Sequence, residues 1–379
     1  MCGRRTSLSG VKPMFNETKF WNTFIIIIAS LIVVYAIVDI FVLRKLPKRS
    51  KNQTTLINGL LILGFASIMV LLIDSLGMFL FLQTIMDKVL GICVLALATT
   101  GIVLIFKTSM TTNFAQGSMA TLGAFFAARY ILYLTATTTL TTIQKVFLAI
   151  LVSALVAFIL GILIDVFIIR KAKHVTSVGK QMITMGLVLV ISGLIPVTFG
   201  GLPLEIPRLS YDIVPVTLFG QSLSIPQHSI YALYLTVIVL VVLFAALRFT
   251  KWGLGVRATA SNEIVAKMMG VNTKIITAMS WAIAGALGGL ASVLAAPFGG
   301  QVTTGLMVSY QVNGFMASIL GGFSSFGGPL VGAILIPLLQ GLLFYFSNLW
   351  QNAIVYLIIL LIVLAKPLGL FGKKIAKKV

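Results

Sequence analysis

Acidic side chains are scarce in this 379-residue sequence. Only 8 Asp+Glu stand against 28 Lys+Arg, and there are two histidines and two cysteines. Two cysteines, Cys2 and Cys93, exclude a disulfide framework and a Cys-rich metal site. Cys93 lies in an apolar run and reads as a small buried filler. Charge of both signs is short. Charged residues make up 9% of the chain, where a soluble domain carries about 25%. That deficit excludes a soluble globular, a disordered or a fibrous protein. The acids and imidazoles are also too few and too badly placed for the proton relays of ion-coupled carriers. Asp39 and Asp165 are the embedded acids, and each reads as half of a local ion pair at the basic end of its helix. His174 falls in a basic loop and His228 in a loop on the opposite side, neither with a partner for metal or acid–base work. No Ser/His/Asp set, HExxH or Cys/His cluster occurs, which argues against an enzyme. A P-loop is missing too: neither Gly179-Lys180 nor Gly372-Lys373 is followed by Ser or Thr. Any nucleotide hydrolysis therefore belongs to another chain.

What is abundant is apolar surface. Hydrophobic residues make up 59% of the sequence, and mean hydropathy is +1.09. This is the composition of a polytopic all-α membrane protein. A spanning helix needs roughly 20 mostly apolar residues. About eleven stretches qualify: 20–43, 56–74, 89–106, 114–135, 144–169, 181–199, 230–247, 275–296, 307–322, 325–346 and 352–365. The ninth is short and Gly-rich, and with the tenth it reads either as two full spans or as a re-entrant, broken pair shielded by protein. Residues 1–55 form one helix plus a basic linker, and residues 56–379 form a ten-helix unit.

The basic residues test this count. They cluster at 44–51, at 170–180, at 248–274 and at 366–378, with Lys107 alone. Eleven crossings with the N-terminus outside put all of these clusters on one side, expected to be the cytoplasm. The strain on this topology is the tail itself, where Arg4, Arg5, Lys12 and Lys19 would lie outside. The positive balance is thus an orientation signal, and no nucleic-acid partner is implied. Residues 200–229 make one long, Pro-rich opposite loop. Arg129 sits inside an apolar run and is expected to snorkel to the interface. Small-residue clusters recur at 117–128 and 284–296, which suits close helix approach or an internal duplication.

The third basic loop, 248–274, is patterned. Ser261 is placed to cap a short helix and Glu263 sits in its first turn. Glu263 and Lys267 are an i,i+4 pair. Ile264, Val265, Met268 and Met269 share one face, and Gly270 supplies the stop. Such a stub must bury its apolar face, either on the membrane or in the groove of a partner.

Three segments carry a family resemblance: TTNFAQGSMATLGAF at 111–125; Gly253, Gly255, Arg257, Gly270 and Asn272 followed by Ala284, Gly285, Gly288 and Gly289; and ASILGGFSSFGGPLVGAIL at 317–335. In order and spacing they resemble the branched-chain amino acid permease family of ABC importers, over about 85–365. Sugar and nucleoside permeases of the same fold lack the Asn113-Phe114-Ala115 run. The family's run usually ends His-Gly-Glu, where this chain has Gln116-Gly117-Ser118. The resemblance implies a permease of a multi-pass plasma-membrane importer, with a second permease subunit, two ATPase subunits that hold ATP-Mg, and an extracytoplasmic binding protein. No cofactor is expected in this chain. Arg257, Ser261, Glu263, Ile264, Lys267, Met268, Met269 and Gly270 become the expected coupling residues. Asn113, Gln116, Gly117, Ser118, Gly321, Gly322, Gly327 and Gly328 become the expected pathway residues, against caps, interhelical hydrogen bonds or packing. A urea or amide, sugar or nucleoside permease, and an ATP-independent channel, are the competing readings.

Overall fold

In a computed structural model the described residues are 77–372, apart from 173, 201–203 and 346–347. The expected spans 20–43 and 56–74, the boundary at 55 and the first and last basic residues lie outside them. The described part is helical: α1 (Met78–Ser109), α2 (Gln116–Thr137), α3 (Thr142–Leu163), α4 (Ser177–Phe199), α5 (Gln227–Phe249), α6 (Lys251–Ser261), α7 (Glu263–Met268), α8 (Thr273–Ala295), α9 (Val308–Gly321), α10 (Gly328–Phe344) and α11 (Gln351–Ala365). Six of the longer ones, α1 to α5 and α8, are long and apolar enough to cross a membrane. The remaining apolar helices, α9, α10 and α11, are short. With 14 residues, α9 is about 21 Å long. The contacts divide the chain into two units. One holds residues 1–84 and 342–351, which in the described part are the start of α1 and the end of α10. The other, 85–341 with 352–379, carries everything that follows.

Polar caps set the helix starts. At Thr141 a capping box opens α3, its hydroxyl accepting from Gln144 N and Gln144 returning the bond. Thr176, Thr250 and Asn272 cap α4, α6 and α8 by accepting a first-turn N–H, without the reciprocal bond. The last turn of α3 widens into a π-helical segment, Ile164–Ile169. There Asp165 pairs with Arg170 at 3.0 Å, and Arg170 also donates to the Lys274 carbonyl at 2.9 Å. The local pair expected of Asp165 is present.

The core is a three-helix contact of α2, α3 and α8, built on small residues. A Cβ on Gly285 would strike the Ala157 backbone, one on Gly161 the Trp281 backbone, and one on Gly123 or Gly289 the Ser153 backbone. The two small-residue clusters of the sequence meet at Ala120 and Gly288. In lipid, small faces let backbones approach and gain dispersion contact. Both α1 and α8 bury 78% of their most apolar window, against 17% for α4 and 22% for α5. So α1 and α8 are interior, and α4 and α5 present their apolar sides outward.

Among the described residues, contacts gather Lys107 and the segments 170–180, 248–274 and 366–372 at one end. Ser177 donates to the Met110 carbonyl, Trp281 Nε1 to Ser109 Oγ, and Lys107 Nζ to the Ser324 carbonyl at 2.6 Å. The opposite end holds a two-stranded hairpin, β1 (Ile213–Leu218) with β2 (Gln221–Pro226). Sequence reading treats 200–229 as a loop, because Pro215 and neighbouring polar residues hide the alternation. The hairpin closes on Phe219 and Gly220, both at positive φ, as a two-residue turn that matches strand twist requires. His228, expected in that loop, instead opens α5 and is fully buried. Its Nδ1 accepts from Leu209 N at 3.0 Å and its Nε2 meets the Leu294 carbonyl at 3.1 Å. It pins the loop onto α8.

Candidate functional site

Two regions hold most of the expected site residues. The first is the start of α2. Helix α1 ends at Ser109, and residues 110–115 turn back into the bundle before α2 begins. Gln116 Nε2 donates to the Ala98 carbonyl at 3.1 Å. Ala98 lies nine residues before Lys107 on α1, so α2 starts about 13 Å inside the basic end. Phe114 N donates to Thr184 Oγ1, seven residues into α4. The N-terminus of α2 is therefore interior.

Its capping is remote. Ala115 stands at the cap position and has no side chain to accept a bond. Asn113 Oδ1 accepts from Ala115 N at 2.9 Å, a local turn. The N–H of Gly117 is satisfied by Gln311 Oε1 at 2.6 Å, from the first turn of α9. Gln311 Nε2 returns a bond to the Phe114 carbonyl. Phe315, one turn further along α9, packs on Phe114 with ring centroids 5.0 Å apart. A Cβ on Gly117 would collide with Gln311, so glycine is required there for the bond to form.

Beside this clasp is a cavity of about 10 Å³, edged by Gln116, Gly117, Ala120, Gly288, Met307 and Gln311. That is room for about one water. Gln116 is buried, and its Oε1 has no hydrogen-bond partner. The structure thus brings Gln116 and Gly117 to one cavity, with Asn113 and Ser118 buried nearby in sequence. Gln311 was not singled out by sequence reading. Its one signal is an amide inside an apolar, Gly-rich run. The glycines of the third motif lie elsewhere. Gly321 and Gly328 touch backbone to backbone in the turn from α9 to α10. Gly322, at φ +89°, packs on Leu368 and Gly372. A Cβ on Gly327 would meet open space.

The second region is the basic surface. The chain between α5 and α8 folds into two short helices. Sequence reading anticipated only the second, since Gly253 and Gly255 weaken the first on propensity. Those glycines are needed for packing: a Cβ would strike the Leu247 carbonyl at Gly253 and Ile276 at Gly255. Arg257 turns back to donate to the Leu247 carbonyl at the end of α5. Ser261 ends α6 and does not cap α7. The cap is Asn262, whose Oδ1 accepts from Ile264 N at 2.9 Å and Val265 N at 3.2 Å. Asn is as good a cap as Ser, and its amide oxygen reaches both N–H groups. Glu263 and Lys267 pair at 2.5 Å on the surface. Gly270, at φ +82°, closes α7. Ile264, Val265, Met268 and Met269 are exposed, Met268 by 81% and Met269 by 78%, while Ala266 is buried beneath them.

An interior helix start beside a small cavity, a bundle of apolar helices and an apolar stub at the basic end define a membrane transport subunit. Among the described residues no group of His, Cys, Asp and Glu could hold a metal ion. Residues 84–364 match the family described as branched-chain amino acid transport system / permease component, and the chain belongs to that family. It is 22% identical to the high-affinity branched-chain amino acid transport system permease protein LivH of Salmonella typhimurium, over 79% of this chain and 98% of the relative. It is 26% identical to the probable branched-chain amino acid transport permease protein LivH of Methanocaldococcus jannaschii, over 73% of this chain and 88% of the relative. A third relative, BraD of Pseudomonas aeruginosa, is 24% identical over 42% of this chain and 54% of its own length. No solved structure matches the chain.

Proposed function

We propose that the chain is the membrane-spanning permease of an ATP-driven importer, and that its substrates are branched-chain or related amino acids. Family membership and the relatives' names support the substrate class. The assembly that follows is a pair of permease subunits, two ATPase subunits carrying ATP-Mg, and an extracytoplasmic binding protein that presents substrate at the hairpin end. This chain itself carries out no chemistry and needs no cofactor or nucleic acid.

The observation that carries the ATP-driven reading is α7. A six-residue helix with Ile264, Val265 and Met268 exposed along it and Met269 exposed at its cap cannot be stable by propensity alone. Its apolar face suits the groove of a cytoplasmic ATPase. Arg257, bonded to the end of α5, and Thr273, at the start of α8, join the stub to spanning helices. ATPase closure then moves α7 through α6 and α8 and rocks the bundle between outward and inward access. The pathway runs past Asn113, Gln116, Gly117 and Ser118, with Gly321, Gly322, Gly327 and Gly328 shaping the turn at its basic end.

Met268→Glu with Met269→Glu tests this. The pair of charges should abolish ATPase association and ATP-dependent leucine uptake in proteoliposomes while the permease stays folded in the membrane. Uptake and association unchanged in this variant, and in Glu263→Ala, would refute the coupling role of α7.

A further inference from the structure

A buried acid is costly in a membrane chain, and Asp165 is costly twice. Its side chain is 3% accessible. It also sits near the end of a long helix, where the aligned backbone dipoles disfavour negative charge. Replacing a buried ion pair by apolar side chains is often neutral or stabilising, so stability alone does not account for the pair with Arg170. Its geometry is unusual too. In an α-helix, residues five apart stand about 140° apart round the axis. The π-helical segment Ile164–Ile169 closes its rings at five residues, and Arg170 N donates to the Asp165 carbonyl at 2.8 Å. The widened turn puts both side chains on one face, 3.0 Å apart.

The same Arg170 Nη2 donates to the Lys274 carbonyl at 2.9 Å, in the first turn of α8. One guanidinium therefore spans from a buried acid on α3 to the backbone of α8. Lys274 is four residues beyond Gly270, which closes α7. The link between them is tied down: Val271 N donates to the Ala266 carbonyl at 3.0 Å, and Asn272 Oδ1 accepts from Ile275 N.

We propose that Arg170 is a clamp that passes the displacement of α7 into α3, so that α3 and α8 move as one body. Further along, these helices are already locked, since a Cβ on Gly161 would strike the Trp281 backbone and one on Gly285 the Ala157 backbone. About 10 Å of α8 separates Lys274 from Trp281. Without the clamp, a pull from α7 bends that stretch. With it, the pull reaches the π turn of α3 directly, and π turns are frequent at functional sites. Arg170 touches neither substrate nor nucleotide, and its role is positioning.

This inference rests on the coupling role of α7 and names the side chains that carry its motion inward. The test measures leucine imported per ATP hydrolysed by the assembled transporter in proteoliposomes with its binding protein. Asp165→Asn with Arg170→Met removes the clamp without leaving a buried charge. ATP hydrolysis should stay near the wild-type rate while leucine per ATP falls about tenfold. Arg170→Lys, which lacks the guanidinium's fork, should lower the ratio about threefold. A purely structural pair would lower assembly, hydrolysis and uptake together and leave the ratio unchanged. That result in either variant overturns the clamp, and if the double variant does not assemble, Arg170→Lys decides. Hydrogen exchange supplies a readout independent of substrate. A non-hydrolysable ATP analogue should alter exchange at 164–172 in the wild type but not in the double variant, with α7 responding in both. No response at 164–172 in the wild type overturns the clamp as well. If Met268→Glu with Met269→Glu still associates and transports, the coupling reading fails and the clamp with it. If that variant loses association while the clamp variants keep the wild-type ratio, the clamp alone falls.

Discussion

The hydroxyl of Ser153 on α3 donates to the carbonyl of Gly289 on α8 at 2.8 Å, at a crossing where a Cβ on Gly289 would strike the Ser153 backbone. Steric closeness holds this contact more than the bond does. Ser153→Ala should cost about 0.6 kcal/mol, the usual worth of an interhelical bond in a membrane. Gly289→Leu forces backbone apart and should cost about 1–3 kcal/mol or more. Thermal unfolding in detergent, read by fluorescence or light scattering, separates the two. Equal losses would deny the crossing its special tightness.

The cap of α7 offers a sharper contrast. Asn262→Ala should destabilise this short helix by about 1 kcal/mol, whereas Ser261→Ala should be nearly neutral. Hydrogen exchange across 263–269 reports this directly. Faster exchange in the Asn262 variant alone is the expected result.

Glu263 and Lys267 are half exposed, with side chains 49% and 53% accessible. An exposed i,i+4 pair is worth about 0.3–0.5 kcal/mol. Glu263→Gln should therefore leave the melting temperature almost unchanged. A large fall in ATP-dependent uptake in the same variant would mark Glu263 as a contact to the ATPase, since stability could not explain it.

His228 gives a test at the other end. Its two backbone partners are consistent with an Nε2–H tautomer, Nδ1 accepting and Nε2 donating. His228→Phe would strand the Leu209 N–H and the Leu294 carbonyl, at about 1–3 kcal/mol for each buried group. The loop 204–226 should become more open to limited proteolysis from that face, while α7 exchange stays the same. Unchanged cleavage would show that the hairpin holds without this pin.

Local rules read much of this molecule. Runs of about 20 apolar residues mark α2 to α5 and α8 to within a few residues, because spanning helices must satisfy their backbone bonds internally. The α7 stub was visible in Glu263, the Met face and Gly270. Its cap fell one residue further on, because adjacent Ser and Asn offer equivalent oxygens and only backbone geometry chooses between them. The helix α6 was hidden by glycines that serve packing against Leu247 and Ile276. His228 and Gln311 were illegible for a shared reason. Each is defined by partners far along the chain, Leu294 and Gly117, and periodicity carries no information about such pairings. Asn113 and Gln116 are marked by the family resemblance as pathway residues, but the interior start of α2 follows only from the Ala98 and Thr184 contacts.

Lys107 reaches the Ser324 carbonyl and lies 4.5 Å from the Phe326 ring centre. Just before it in the chain, the carbonyls of Leu320 and Gly321 accept from Leu370 and Phe371. The foot of α9 is thereby fastened to two other parts of the fold, while its head carries Gln311. Ten residues of helix, about 15 Å, separate foot from head. A rod hinged at such a foot multiplies small rotations: a tilt of about 10° carries the head about 2.6 Å sideways, enough to sever a hydrogen bond of ordinary length. Parting Gln311 from Gly117 then demands neither unfolding nor sliding of α9, and a push transmitted along the basic surface would arrive at the fulcrum.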